Sequence, residues 1–166
     1  MSDTTDILRL AEDGDFEKLL TMIRSYFEYD HIQFDEPAIR RSLPRLLRDH
    51  KIGRAWFIQQ SGLVRQGAGA PVARTFINDA GYVIATFGFD LEFGGPQATI
   101  TDVFLLPEFR RSGLGTKALK AIELELRAAG AGAIELRVEK DNAEAIAFYA
   151  SLGFKPEDRI PLSKRL

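Results

Sequence analysis

The run from residue 98 to residue 154 constrains this chain more than any other, because it reads as strand, helix, strand and helix in unbroken succession. Residues 98–106 alternate and then become apolar, the pattern of a largely buried strand, and they stop at Pro107. Gly113 opens a helix in which Leu114, Ala118, Leu119, Ile122 and Leu126 share one face, and Gly130 and Gly132 end it. Residues 133–138 give another strand. Asn142 is placed to cap a short helix carrying Ile146, Phe148 and Tyr149, which Gly153 closes. Strands joined through a helix run parallel, so this half predicts a partly parallel sheet.

The N-terminal half adds hairpin-connected strands and two helices. A first strand is expected at 7–10, and a helix over 14–29 follows Asp13, with Phe16, Leu19, Leu20, Ile23 and Phe27 along one stripe. A second helix starts behind Asp35 with Pro37 in its first turn and Ile39, Leu43, Leu46 and Leu47 on one face, bent at Pro44. Residues 55–58 and 82–89 are aromatic and β-branched strands, and the glycine-rich stretch 61–71 between them reads as a mobile loop. The expected class is mixed α/β in one domain spanning 1–166, a length that buries a core without disulfides or metal.

Composition narrows the function. The chain has no cysteine, which removes disulfides, thiolate metal sites and an acyl-cysteine intermediate. A net charge of -2 with scattered basic residues gives nucleic acid no footprint. No apolar run approaches the ~20 residues of a membrane span, and the acidic start Met1-Ser2-Asp3-Thr4-Thr5-Asp6 is unlike a secretory leader. A cytoplasmic protein without a membrane partner is expected. His31 and His50 stand alone, without ligand spacing, so no metal is assigned.

The chemistry concentrates between the strand at 98–106 and the helix after it. In Arg110-Arg111-Ser112-Gly113-Leu114-Gly115-Thr116, unpaired helix-start N–H groups and the helix dipole converge on an anion. Gly113 and Gly115 let the main chain approach phosphate oxygens, Ser112 and Thr116 add hydroxyls, and Arg110 and Arg111 add charge. A glycine pair at a helix start is also often only a tight turn. Gly115 is followed by Thr116-Lys117, which is not the order of a P-loop, and Ala118 stands where the dinucleotide fingerprint needs a third glycine.

The block from Asp102 to Gly115, DVFLLPEFRRSGLG, resembles the strand-four to helix-three signature of the GNAT superfamily of acyl-CoA N-acyltransferases, with its Arg-x-x-Gly-x-Gly loop. The block from Leu136 to Phe154 is similar to the strand-five block of that superfamily, Asn-x-x-Ala-x-x-x-Tyr-x-x-x-Gly-Phe, at the expected spacing. The resemblance is weaker back to Gly53, and the first 50 residues match in layout alone. It implies a GNAT-like mixed sheet, centrally splayed and flanked by helices, in which strands four and five part to admit the pantetheine arm of acetyl-CoA as co-substrate. Backbone at Phe104, Leu105 and Leu106 is then expected to bond the pantetheine amides, one N–H serving as oxyanion donor. The loop 110–116, including Leu114, is expected to hold the pyrophosphate.

The same resemblance makes Asn142 a cofactor contact as well as a helix cap, and Tyr149 both a cofactor contact and the acid that protonates departing CoA thiolate. Tyr149 also fits an ordinary core aromatic. Deprotonation of the acceptor falls to Glu92 or Asp102, with Asp90 nearby in sequence, most simply through a water relay. Glu28, Asp30, Asp35, Glu36, Asp90 and Glu92 suit a small cationic amine such as a polyamine or amino-sugar, and suit a solvated face equally. The expected function is N-acetyl transfer to a small-molecule amine in a ternary complex, and a homodimer is compatible with it. A non-catalytic acyl-CoA-binding module and a protein or peptide N-acetyltransferase stay open.

Overall fold

The computed structural model describes residues 7–65 and 73–165. The acidic start at 1–6 and the centre of the glycine-rich stretch, 66–72, lie outside the described residues. The strands are β1 (Leu8–Leu10), β2 (Gly53–Arg65), β3 (Ala73–Asp90), β4 (Gly95–Leu105) and β5 (Ala133–Leu136). The helices are α1 (Phe16–Tyr29), α2 (Glu36–Arg48), α3 (Leu114–Ala128) and α4 (Ala143–Ser151). The sheet runs in the order β1-β2-β3-β4-β5, antiparallel except for the β4–β5 pair.

Helix starts follow local chemistry. Asp35 accepts from the Ala38 N–H at 3.0 Å and Asn142 from the Ala145 N–H at 3.0 Å, each satisfying one donor that the first turn leaves without an acceptor. Before α1, residues Asp13–Asp15 form a 3-10 turn, with the Glu12 N–H bonded to Asp15 at 2.9 Å.

Two cores lie on opposite faces of the sheet. Ala55, Phe57, Tyr82, Ile84 and Phe104 pack against Leu19, Leu20, Ile23, Leu43 and Leu47 of α1 and α2. Trp56, Ile58, Val83, Ala85 and Ile100 pack against Ala118, Leu119, Ile122 and Leu126 of α3. Alternate residues of each strand thus serve alternate layers, so the strands read as continuous apolar runs.

The reading of 61–71 as a loop is corrected at 61–65, the remainder lying outside the described residues. Residues 61–65 belong to β2 and 73–77 to β3, paired in register from Ser61↔Ile77 to Arg65↔Ala73. The Phe76 ring lies over Gly62, where a Cβ would meet it at 2.5 Å. This outer ribbon has neither β1 nor β4 beside it, since β1 pairs no farther than Ile58 and β4 reaches only Gly81. Its sequence, SGLVR on one strand and ARTFI on the other, lacks the apolar alternation by which strands are recognised. At its root the buried Asp79 carboxylate takes Lys18, Arg9 at 3.3 Å and Gln59 at 2.9 Å.

Candidate active site

Strand β4 outlasts its parallel partner. It pairs with β5 from Gln97↔Ala133 to Ile100↔Leu136 and then continues alone to Leu105, so a slot opens beside residues 101–105. A bulge lies at the same point: Ile84 pairs Asp102 and Ala85 pairs Ile100, leaving Thr101 as the extra residue. The consequence is a change of face. Ile100 packs in the α3 core, and strict alternation would send Asp102 there too, but Val103 and Leu105 take that side, and Asp102 and Phe104 face α1 and α2.

The slot edge carries fewer free groups than expected. The Leu106 N–H donates to Ala80 O at 2.9 Å and its carbonyl accepts from Phe109 at 3.0 Å, so both backbone groups of Leu106 have partners within the protein. The Phe104 carbonyl points at Gly81, where a Cβ would lie 2.0 Å from it, so the Phe104 peptide groups face β3. By alternation Leu105 and Val103 face the slot. Val103 was not singled out from sequence, although strand period two, counted back from Leu105, leads to it.

Helix α3 begins beside this edge. Gly113 is its N-cap at φ 80°, in the left-handed region where only glycine is unstrained, with nothing within 4 Å of a Cβ built on it. The Lys117 N–H is bonded back to Gly113 O at 3.2 Å, so the N–H groups of Gly115 and Thr116 precede the helical ladder. The Ser112 hydroxyl donates to Phe109 O at 2.7 Å and lies 3.4 Å from the Leu114 N–H. Arg111 is exposed and 3.7 Å from an exposed Glu144 carboxylate. Arg110 departs from the expectation of a phosphate ligand. Its Nε donates to Leu105 O at 2.8 Å and its guanidinium stacks 4.1 Å over the Tyr29 ring, which commits the side chain to the strand end.

Helix α4 brings Tyr149 to the other side of the slot. A Cβ on Gly115 would sit 3.5 Å from Phe148, an ordinary contact that places α4 beside the start of α3. The Tyr149 ring packs at 5.2 Å against Phe148 and 5.7 Å against Phe154. Burial, and then the Asp30 carboxylate, raise its phenol above the ordinary value, so it stays protonated at neutral pH. Asn142 caps α4 as expected from its residue type, and its side-chain oxygen is engaged there.

Opposite stands an acid–aromatic cluster. The Asp102 carboxylate is pushed up to about 6 by burial, with a 3.3 Å contact from the Thr101 hydroxyl opposing the shift. Tyr26, Tyr82 and Phe104 stack around it with centroids 6.0–6.4 Å apart. The Tyr82 hydroxyl is buried with no protein partner, and burial raises its pKa, followed by Asp102 and Tyr26. Tyr26 is raised by burial and then by Asp30, one helical turn on. Sequence pattern singled out neither tyrosine, because each reads as an ordinary apolar position of its element.

A cavity of about 370 Å³ adjoins Asp102, between α1, α2 and the sheet. Its walls are chiefly apolar, among them Ile23, Phe27, Leu43, Leu46 and Ile84.

The remaining acids are elsewhere. Glu92 sits in the β3–β4 turn, exposed and paired with Arg159 at 2.7 Å, and Asp90 bonds the Glu92 N–H at 2.8 Å. Asp102 is about 20 Å farther along β4, at ~3.3 Å per residue. The hairpin therefore carries Glu92 away from the slot. Glu36 pairs with Arg24 and with Arg40 at 2.7 Å, and Asp35 is spent on its cap, so these two acids are engaged within the protein, while Asp30 lies beside Tyr26 and Tyr149. Among the described residues no group of three His, Asp or Glu is placed to hold a metal, and no helix is long and apolar enough to cross a membrane.

Comparison with known proteins places this geometry. The model of the acetyltransferase (GNAT) family matches residues 22–154. Over 58 residues the chain is 40% identical to the ribosomal protein bS18 alanine N-acetyltransferase of Escherichia coli (strain K12) and 41% identical to that of Salmonella typhimurium. The match takes in 35% of this chain and 39% of each relative, so it spans about two fifths of their length. An integron cassette protein from the mobile metagenome of Cole Harbour Salt Marsh superposes with TM-score 0.75 at 24% identity, over 98% of this chain and 91% of that one. An aminoglycoside acetyltransferase from an uncultured soil metagenomic sample does so with TM-score 0.69 at 16% identity, over 99% of each. At these identities the likeness is one of fold.

Proposed function

The chain belongs to the acetyltransferase (GNAT) family, and on that premise we propose that it moves the acetyl group of acetyl-CoA onto a primary amine by direct attack, with both substrates bound. The observation that carries this reading is the parting of β4 from β5 after Ile100, beside the open start of α3 and between Tyr149 and Asp102. The N–H groups at 113–116, with Arg111, suit the pyrophosphate, and the Val103 edge with the Leu105 N–H, whose own carbonyl is held by Arg110, suits the pantetheine amides and the thioester oxygen.

The protons balance as follows. An ammonium substrate gives one proton to the Asp102 carboxylate, which passes it to water. The freed nitrogen attacks the thioester carbonyl, the C–S bond breaks, and the Tyr149 phenol donates to the departing sulfur. The second proton lost by nitrogen restores the phenol. At a pKa of about 6 the Asp102 carboxylate is mostly ionised at pH 7, yet a better base than an ordinary aspartate. With no cysteine to carry an acyl group, kinetics are sequential. Intersecting double-reciprocal plots are the expected result, and parallel plots with an isolable acetyl-enzyme would refute direct attack.

A further inference from the structure

Resting on that acetyl-transfer reading, we propose that the acceptor is a monoamine on one apolar body, an alkyl or aryl group that fills the cavity between α1, α2 and the sheet and presents its nitrogen at Asp102. The cavity holds about 370 Å³, room for roughly ten non-hydrogen atoms beside the ~30 Å³ share of one liquid water. Ile23 and Phe27 come from α1, Ile39, Leu43 and Leu46 from α2, and Ile84 from the sheet.

The polar lining is Ser42, Arg45, Thr86, Thr101 and Asp102, and two of its three hydroxyls are engaged. The Ser42 hydroxyl donates to Ala38 O at 2.9 Å and the Thr101 hydroxyl to Ile84 O at 3.4 Å. Asp102 is the one acid in the wall and the wall residue farthest along β4 toward the slot, so an amine has one place to go. A sugar would strip water from several hydroxyls without regaining partners, and a second ammonium would meet aliphatic walls or Arg45. These costs count against the polyamines and amino-sugars suggested by the acidic composition of the N-terminal half. A peptide would put only its first side chain into the cavity and leave backbone amides to find partners outside.

The test is acetyl-CoA turnover by the full chain across methyl-, propyl- and hexylamine, phenethylamine, 1,4-diaminobutane, glucosamine and an alanine-starting hexapeptide. Burial of each added methylene is expected to raise kcat/KM roughly three- to fourfold up to hexylamine. The diamine and the sugar should fall at least tenfold below hexylamine. Ser42→Phe puts a ring at an exposed wall position and should flatten the chain-length dependence. A flat series in the wild type, or preference for the diamine, the sugar or the peptide, overturns the apolar acceptor and leaves acetyl transfer standing. No turnover with any amine overturns acetyl transfer itself. Calorimetry with methylamine and hexylamine then decides the cavity, equal affinities overturning it and a gain with chain length supporting it.

Discussion

Asp102 carries opposing demands. Its folded pKa of about 6 lies above the ordinary 3.8 because burial penalises the ionised form. Between those values the folded protein binds more protons than the unfolded chain, so stability is greatest below pH 4 with respect to this group and falls as pH rises to about 6. At ~1.4 kcal/mol per pKa unit the cost at pH 7 is up to ~3 kcal/mol. Asp102→Asn should therefore raise stability at pH 7 by about 1–3 kcal/mol in urea unfolding, with little gain at pH 4, while lowering kcat/KM and erasing the acid limb near pH 6. A variant as stable as wild type at both pH values would mean that Asp102 is better solvated than its setting implies. Tyr149→Phe keeps the ring against Phe148 and removes the donor, so kcat should fall by about 10²-fold with acetyl-CoA affinity unchanged in calorimetry. The places of Asp102 on β4 and Tyr149 on α4 were legible because each sits inside a motif whose spacing fixes its element. The setting of Glu92 was not legible, because nearness in sequence says little across a long hairpin, nor was that of Arg110, whose residue type fits an anion while its geometry serves Leu105 and Tyr29.

At the scale of elements, the bulge at Thr101 decides the site. One extra residue turns Asp102 toward α1 and α2, and β5 leaves the sheet at the same level. Apolar periodicity gave the strand but not the bulge, since Asp102-Val103-Phe104-Leu105 is compatible with either parity. Gly81 holds β3 tight against this region, and Gly81→Ala would press a methyl group onto the Phe104 carbonyl. A loss of about 2–3 kcal/mol is expected in urea unfolding. At the start of α3 the space around Gly113 is open, so Gly113→Glu has room at its Cβ but strains the backbone and sets an anion at the proposed pyrophosphate site. Acetyl-CoA affinity should drop at least a hundredfold in a variant that remains folded by circular dichroism. Undiminished affinity would remove the loop from the binding site.

At the scale of the molecule, the sheet separates two cores, and the slot opens at the end of β4 that contributes to both. The helix-start loop and α4 lie on the α3 side, and the apolar cavity with Asp102 lies on the α1–α2 side. The layering and the parallel β4–β5 pair were legible from residues 98–154, where each element is short and sharply punctuated. The cavity was not, because its walls come from positions scattered between Ile23 and Asp102 that only the fold brings together. Rapid-quench single turnover tests the central claim most directly: chain in excess over acetyl-CoA, mixed with hexylamine at pH 7.5, both products measured by mass. N-acetylhexylamine and CoA appearing together, one for one, with no acetylated protein at any time, is the predicted result. Release of CoA ahead of the amide, or acetate in place of it, would contradict direct transfer to an amine.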